Sequence, residues 1–440
     1  MRQQWLLPLG ALVLSASVGA VTTTRVSTDA SGQQATVAGS FAADIDASGT
    51  FIVFSSAAAN LVATDSNGLS DIFLKNRLSG AITLISRNTL GASATGVSNA
   101  PSISADGLFV AFNSAAADLV AGDNNGRTDI FVYSVASSTI ERISVNSAAV
   151  EGNGQSVGTP AISANGRFIA FESFASNLSV IDSDVIVDIF LRDRQTSSTV
   201  LLSQTSGGAL GSGPLGSNRP TISADGRYIA FESSRVLVAD DDNFTGDIYL
   251  RDTQAGTTIR VNSSASGVFP TAGFSGRPSL AASGRLIAFR SLSDTLVPND
   301  GTSLLRDIFI KNLDSGAITR VTAPGQTDPN SDSNELHLSA TGNALVFHSL
   351  ASNFSGDDTN GRQDIFRLTI ASGAIERISL ASSGAQADDQ SGFPRSNENG
   401  SVAAYESSAT NLVADDSNGR LDVFATVIPS DLIFRDGFEG

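Results

Sequence analysis

The sequence predicts an all-β protein: a seven-bladed β-propeller of four-stranded antiparallel blades, with the N-terminal strand completing the last blade. The first observation is a repeat, in which the aspartate that opens a D-I-F-type triplet recurs at intervals of 57 to 60 residues. A period of this regularity is typical of repeat architectures. The seven copies begin at Asp71, Asp129, Asp188, Asp247, Asp307, Asp364 and Asp422.

The second observation is the strand pattern inside one repeat, which is clearest at residues 160–193. A short segment, a tight turn ending in Gly166 and an apolar run at 168–171 precede a polar loop and the D-I-F strand. A run that is apolar at consecutive positions must be covered on both faces. A fourth short strand, such as 140–144 in the preceding repeat, then ends each unit. Small four-stranded sheets that are covered on both faces predict propeller blades.

Aromatic residues recur on the second and third strands of every repeat. We expect them to fill the space between neighbouring blades, because burying one such side chain is worth about 1.5–3 kcal/mol. They are Phe54, Phe112, Phe171, Phe231, Phe289, Phe347 and Tyr405 on the second strand, and Phe73, Phe131, Phe190, Tyr249, Phe309, Phe366 and Phe424 on the third.

The third observation concerns closure of the ring. The last repeat ends at residues 424–427 and has no fourth strand after it, whereas residues 24–27 have the pattern of a fourth strand without a blade. We therefore expect the N-terminal strand to complete the seventh blade. This arrangement leaves no unpaired outer edge on that blade.

The two ends of the chain lie outside the repeat. Residues 1–20 have a basic start, a short apolar run and small residues at Val18 and Ala20, which is the pattern of a cleaved secretory signal peptide. We expect one propeller domain at 21–428 and a tail at 429–440. The tail resembles a short D-x-I-F-x-D-G-F-E ending of exported proteins in some Gram-negative bacteria. That resemblance implies an exported protein, whether periplasmic, cell-surface or extracellular.

Charge and composition exclude several classes of partner. Removal of residues 1–20 leaves 26 basic and 44 acidic side chains, a net charge of −18, because Arg2 is the one charge lost. An acidic protein repels phosphate backbones, so no nucleic-acid partner is expected. The chain has no cysteine, which excludes disulfides and thiolate metal sites. No further membrane span is expected after signal cleavage, and the oligomeric state stays open.

The repeat resembles the TolB-like propeller family. The resemblance rests on S-A-D-G-R-x-I-A-F-E-S at 223–233 followed by a D-I-F-type strand at 247–252, and on the similar pair 163–173 and 188–193. It implies a propeller, export and a binding role. We expect no α/β domain like the one that precedes the propeller in TolB, and the polar loop is longer here, so the partners of TolB are not expected.

The first candidate site is the long loop between the second and third strands, where the pattern D-x-N-G-x-x-D recurs. Two carboxylates, an amide oxygen and nearby carbonyls are suitable calcium ligands. The same residues also form turns, in which the first aspartate bonds local amides, Asn-Gly takes positive φ and the last aspartate anchors the strand. No cofactor is certain. Related calcium loops begin with a further aspartate, and alanine stands at that position here, so one ligand is missing and calcium binding remains an open alternative. The candidates are Asp65, Asn67, Asp71, Asp123, Asn125, Asp129, Asp358, Asn360, Asp364, Asp416, Asn418 and Asp422.

The second candidate site is a set of polar residues at or beside the start of the innermost strand. In an up-and-down blade this end shares a face with the long loops, and binding residues concentrate on such loops. We expect these side chains to rim the central channel, although ordinary solvated loop charges would give the same pattern. They are Asp44, Arg219, Arg277, Glu335, His337 and Arg395.

The predicted function is a binding or scaffold module that recognises protein or glycan through the long-loop face. No residue is predicted to be catalytic, because no carboxylate pair or metal-ligating set stands out. A hydrolase or lyase with its site at the channel mouth and a purely structural envelope protein are the alternatives. A one-sided charged cluster at one mouth of the channel would favour an enzyme, whereas a broad, flat loop face would favour binding.

Overall fold

The structure is a computed structural model that describes residues 21–213, 215–241, 243–298, 305–326 and 328–429. Within these residues the chain forms seven four-stranded antiparallel sheets, which confirms the predicted all-β propeller. No helix long and apolar enough to cross a membrane is found in the described ranges. The predicted signal peptide and residues 430–440 of the predicted tail lie outside them.

Each blade takes four strands, and the innermost strand is the first of each group below. Blade 1 is β2 (Ser40–Ile45), β3 (Phe51–Ser56), β4 (Asp71–Asn76) and β5 (Ile82–Leu84); blade 2 is β6 (Ser98–Ile103), β7 (Phe109–Ser114), β8 (Asp129–Ser134) and β9 (Thr139–Arg142); blade 3 is β10 (Ser156–Ile162), β11 (Phe168–Ser173), β12 (Asp188–Asp193) and β13 (Ser198–Leu201); blade 4 is β14 (Ser217–Ile222), β15 (Tyr228–Ser233), β16 (Asp247–Asp252) and β17 (Thr257–Arg260). Blade 5 is β18 (Ser275–Leu280), β19 (Leu286–Ser291), β20 (Asp307–Asn312) and β21 (Ile318–Arg320); blade 6 is β22 (Ser333–Leu338), β23 (Ala344–Ser349), β24 (Asp364–Thr369) and β25 (Ala374–Arg377); blade 7 is β26 (Ser391–Ser396), β27 (Val402–Ser407), β28 (Asp422–Val427) and β1 (Thr22–Arg25).

The N-terminal strand closes the ring as predicted, two residues earlier in the chain than the pattern indicated. β1 pairs antiparallel with β28, with Arg25 opposite Phe424. Just beyond the strand, the Ser27 hydroxyl donates to Asp422 Oδ1 at 2.5 Å and accepts from the Val423 amide at 3.2 Å. The two ends of the described chain are therefore joined by both backbone and side-chain hydrogen bonds.

The predicted aromatic residues form one buried pair in each blade. Phe54 and Phe73, for example, have ring centroids 5.7 Å apart, and neither ring is exposed. The other six pairs are stacked in the same way at 5.7 to 6.2 Å. The hydrophobic core is a series of clusters that contain residues of adjacent blades, such as Val402 with Ile52. This confirms that the aromatic residues are structural.

A bulge interrupts the pairing of every innermost strand with its neighbour, a feature that the sequence pattern did not indicate. In five blades the bulge places a non-glycine residue at a φ between 51° and 56°: Ala42, Ala100, Arg219, Arg277 and Phe393. A carboxylate of the preceding blade holds three of these bulges: the Ala42 amide donates to Glu406, the Arg219 amide donates to Glu172, and the Arg277 amide donates to Glu232, the last two at 2.8 Å. These inter-blade bonds offset the strain of the left-handed backbone and orient the channel wall.

Candidate functional site

The central channel is a cavity of about 750 Å³ that is lined by the innermost strands of all seven blades. The predicted ligand residues all line it, which brings together side chains from blades 1, 4, 5, 6 and 7. Blades 2 and 3 contribute uncharged residues from their innermost strands, such as Ser102 and Pro160. Glu172 on the second strand of blade 3 and Glu232 on the second strand of blade 4 also line the cavity. The six residues are Asp44, Arg219, Arg277, Glu335, His337 and Arg395.

The six residues lie at two depths, and the sequence analysis did not separate them. Arg219, Arg277 and Glu335 occupy the third positions of their strands, close to the long-loop face. Asp44, His337 and Arg395 occupy fifth positions, so they lie deeper in the channel and not at the strand start.

The channel arginines differ in how far their guanidinium groups are already paired. Arg277 forms an ion pair with Glu335. Arg219 Nε lies 3.2 Å from Glu232 Oε1, but its side chain is 45% exposed. Arg395 donates to the carbonyl oxygen of Pro394 at 3.0 Å, and no carboxylate of the described chain forms an ion pair with it. Arg219 and Arg395 therefore keep donors that face the channel.

The channel carboxylates are largely used by the protein itself. Glu172 accepts the Arg219 amide, and Asp44 accepts the Ile103 amide at 2.9 Å. Burial raises the pKa of Glu172 to about 7, against the lowering effect of that amide, and burial also raises the pKa of Asp44. Glu172 is consequently only partly ionised near neutral pH, which leaves more of the arginine charge available to a ligand.

The two histidines are neutral at physiological pH. Burial and the nearby Arg395 lower the pKa of His337 to about 3, and burial with Arg277 and Arg290 lowers the pKa of His348 to about 4. His337 Nδ1 lies 3.2 Å from the Ser396 amide and accepts from it. Both rings therefore offer a neutral nitrogen rather than a positive charge near neutral pH.

The long loops have the geometry of turns at the predicted asparagine. In blade 2 the Asn125 amide nitrogen donates to Asp129 Oδ2 at 2.8 Å and to a backbone carbonyl, while its oxygen accepts the Arg127 amide at 2.7 Å. Gly126 follows with a φ of 61°. The same bonds recur at Asn67, Asn360 and Asn418. The asparagine oxygens are thus engaged by backbone amides, which supports the turn-forming interpretation.

The last aspartate of each loop anchors the third strand. Asp71 Oδ1 accepts from the Ser86 hydroxyl at 2.5 Å, and Ser86 in turn accepts the Ile72 amide at 2.9 Å. Asp129, Asp188, Asp364 and Asp422 each have an equivalent serine. Burial raises the pKa of Asp71 to about 6, even though the hydrogen bonds from Ser86 and Asn67 oppose that effect.

Arginines of the outermost strands, which were not among the predicted site residues, neutralise three of the four intact loops. Arg142 Nη1 lies 3.2 Å from Asp123 in blade 2, and Arg377 Nη1 lies 3.2 Å from Asp358 and 3.3 Å from Asp364 in blade 6. In blade 7, Arg25 Nη2 lies 3.4 Å from Asp416 and Arg25 Nε lies 3.7 Å from Asp422. The sequence feature that could have predicted these ion pairs is the arginine that recurs on the fourth strand of the repeat.

A group of three aspartates with metal-ligand spacing lies in the long loop of blade 3. Asp182, Asp184 and Asp188 offer oxygens within 4.8 Å of one another. Arg235 Nη2 already lies 2.9 Å from one Asp184 oxygen, 3.0 Å from the other and 3.4 Å from Asp188 Oδ2. The protein's own guanidinium thus supplies positive charge to this group.

Comparisons with known proteins support the fold and leave the family open. No protein-family model matches the sequence, and no curated protein matches it. Similar solved structures include an oligogalacturonate lyase in complex with manganese, with a TM-score of 0.54, 11% identity, and coverage of 95% of this chain and 96% of that chain. The oligogalacturonate lyase of Vibrio parahaemolyticus has a TM-score of 0.54 and 12% identity, with coverage of 94% and 100%. The propeller domain of the Trilobed protease from Pyrococcus furiosus has a TM-score of 0.54 and 12% identity, with coverage of 89% and 95%.

TolB from Acinetobacter baumannii also aligns, with a TM-score of 0.38 and 16% identity over 64% of this chain and 54% of that chain. That alignment is too weak to carry an argument, so the TolB-like assignment rests on the sequence pattern. At identities of 11–12% the other likenesses show a shared propeller architecture. Function must therefore be argued from the residues of this chain.

Proposed function

We propose that the protein is a binding module that takes a carboxylate group of its ligand into the central channel from the long-loop face. The observation that carries the proposal is the pair of incompletely used guanidinium groups, Arg219 and Arg395, on a channel wall where Glu172 and Glu232 accept backbone amides and Glu335 pairs with Arg277. An arginine that faces a concave cavity and keeps free donors is well suited to bidentate carboxylate recognition. The cavity volume of about 750 Å³ is in the range of ligand sites.

An acidic glycan is the first ligand class to test. Two similar propellers are oligogalacturonate lyases by name, and galacturonate carries a carboxylate on every sugar. A protein partner could present the same group on an aspartate or glutamate side chain. The proposal also keeps the protein outside the cytoplasm, as the predicted signal peptide at 1–20 implies, and without a nucleic-acid partner.

Isothermal titration calorimetry with three probes tests this function: a galacturonate oligosaccharide, a neutral oligosaccharide of equal length and an acidic peptide. We expect binding of a carboxylate-bearing probe and no binding of the neutral one. Arg395→Ala should weaken binding by about tenfold or more, because a hydrogen bond to a charged group is worth about 1.5–3 kcal/mol. Arg127→Ala is the matched control, since Arg127 is exposed on the long loop of blade 2. Equal binding by both variants would refute the proposal.

A lyase or hydrolase is the second candidate, and one observation favours it. Glu172 of blade 3 lines the channel, and its pKa of about 7 suits a group that exchanges protons near neutrality. Prolonged incubation with the galacturonate oligosaccharide, followed by absorbance of an unsaturated product and by chromatography, distinguishes cleavage from binding. Products formed by the wild type and absent with Glu172→Gln would establish the enzyme.

For the long loops, we propose that the aspartates of blades 2, 6 and 7 are turn-formers neutralised by Arg142, Arg377 and Arg25, and that these loops need no calcium. The ion pairs support this assignment, because a guanidinium lies beside both aspartates of each loop at 3.2 to 3.9 Å. Calcium binding by Asp123, Asp358 and Asp416 would require displacement of that cation.

A further inference from the structure

We propose that the long loop of blade 1 binds a hard divalent cation, with calcium as the first choice, between Asp65 and Asp71. The cation takes the place that an arginine guanidinium takes in the other intact loops. This inference goes beyond the proposed channel function, since the loop and the channel wall use different residues.

The arginine position is defined by strand pairing. In blades 2, 6 and 7 the residue opposite the third-strand phenylalanine is Arg142, Arg377 or Arg25. In blade 1 the residue opposite Phe73 is Leu84, whose side chain is buried and uncharged. Blade 1 therefore keeps both loop aspartates and has lost their internal cation.

Asp65 shows the consequence directly. It is 5% exposed, and neither of its carboxylate oxygens has a hydrogen-bond partner of ordinary geometry in the described chain. Among the described residues, no lysine or arginine forms an ion pair with Asp65 or Asp71, whereas Asp123 and Asp416 at the equivalent position each have one. A buried carboxylate without a partner is costly, so a bound cation would stabilise this loop strongly.

The atoms that contact the guanidinium elsewhere define the ligand set. In blade 2 Arg142 contacts Asp123, Asp129, Glu151 and the carbonyl oxygen of Gly122. The residues 58 positions earlier in the sequence are Asp65, Asp71, Ser93 and Thr64. This set contains two carboxylates, a hydroxyl and a backbone carbonyl. All are oxygen ligands, which is the chemistry that calcium prefers, and water completes its coordination.

Blade 3 provides an internal comparison, because it also has a leucine, Leu201, at the arginine position. There Arg235 reaches in from blade 4 and lies 2.9 Å from Asp184 and 3.4 Å from Asp188. In blade 3, Arg235 therefore supplies the positive charge that Leu201 at the arginine position does not supply. In blade 1 no arginine or lysine of the described chain forms an ion pair with Asp65 or Asp71, so we infer that a bound metal cation neutralises them.

Thermal unfolding of the full chain without the predicted signal peptide tests the site, in chelator and in millimolar calcium chloride. We expect calcium to raise Tm by about 2 °C or more and one calcium ion per chain to remain after gel filtration. Asp65→Asn should abolish both effects. Asp123→Asn is the matched control, since blade 2 has Arg142, and it should keep both.

Leu84→Arg is the reciprocal variant: it should remove the calcium dependence by restoring the internal cation. If that variant does not fold, Asp65→Asn and Asp123→Asn still decide the question. The proposal is overturned if wild-type unfolding curves in chelator and calcium coincide with no calcium retained. It is equally overturned if the calcium effect survives in Asp65→Asn, because binding would then lie elsewhere.

Discussion

Replacement of Arg377 by leucine tests whether guanidinium groups hold the long loops together. The Arg377 side chain is 2% exposed and lies 3.2 Å from Asp358 and 3.3 Å from Asp364, whose side chains are 3% and 0% exposed. Its contact with Asp357 at 2.8 Å adds little, since the Asp357 side chain is 77% exposed. Removal of one partner from a buried ion pair costs about 3–5 kcal/mol, so we expect Arg377→Leu to lower the free energy of unfolding by about that amount.

The matched control for this prediction is Arg362→Leu in the same loop. Arg362 lies 3.8 Å from Asp389, and both side chains are about half exposed, so the loss should be below about 1 kcal/mol. Urea unfolding followed by circular dichroism measures both variants, because the one tryptophan lies in the predicted signal peptide. The double variant Arg377→Leu with Asp358→Asn should recover part of the loss, since it removes one unpaired charge. Equal losses in Arg377→Leu and Arg362→Leu would refute the reasoning.

Two further predictions concern ring closure and pH. Deletion of residues 21–27 removes β1 and the Ser27 contacts with Asp422, so we expect a lower Tm and aggregation through the exposed edge of β28. Both effects are measurable by light scattering during heating, and a melting curve equal to that of the parent protein would contradict the prediction. Burial raises the pKa of Glu406 from 4.5 to about 7, so the folded state binds the proton more tightly than the unfolded state does. The free energy of unfolding should therefore fall by up to about 3 kcal/mol as pH rises from 4.5 to 7. Glu406→Gln should flatten that slope in urea unfolding at several pH values, and an unchanged slope would exclude Glu406 as its source.

The features of the fold that are repeated along the chain were predictable from the sequence. The D-I-F period, the glycine turns and the paired aromatics such as Phe54 and Phe73 are local patterns that recur seven times. Ring closure was predictable because 24–27 matched a strand type that the last repeat lacked. The strand bulges were not, since three of them are held by a carboxylate from the preceding blade, such as Glu172 on the Arg219 amide.

The candidate site was only partly predictable for a related reason. The residues of the D-x-N-G-x-x-D loops serve equally well as turn-formers and as calcium ligands, so the pattern alone leaves the choice open. What distinguishes the loops is the residue on the fourth strand, Arg142 in blade 2 and Leu84 in blade 1. In blade 3 the cation is Arg235 of the neighbouring blade, 47 residues after Asp188, and no spacing rule within one repeat would find it.

In the proposed function, arginine side chains of the central channel bind a carboxylate group of the ligand. A crystal structure of the protein grown with a galacturonate oligosaccharide tests it most directly. The account predicts a ligand carboxylate within hydrogen-bond distance of the guanidinium groups of Arg219 or Arg395, on the side of the channel formed by blades 4 to 7. A ligand bound on the outer surface, with the channel arginines in their present contacts, would contradict it.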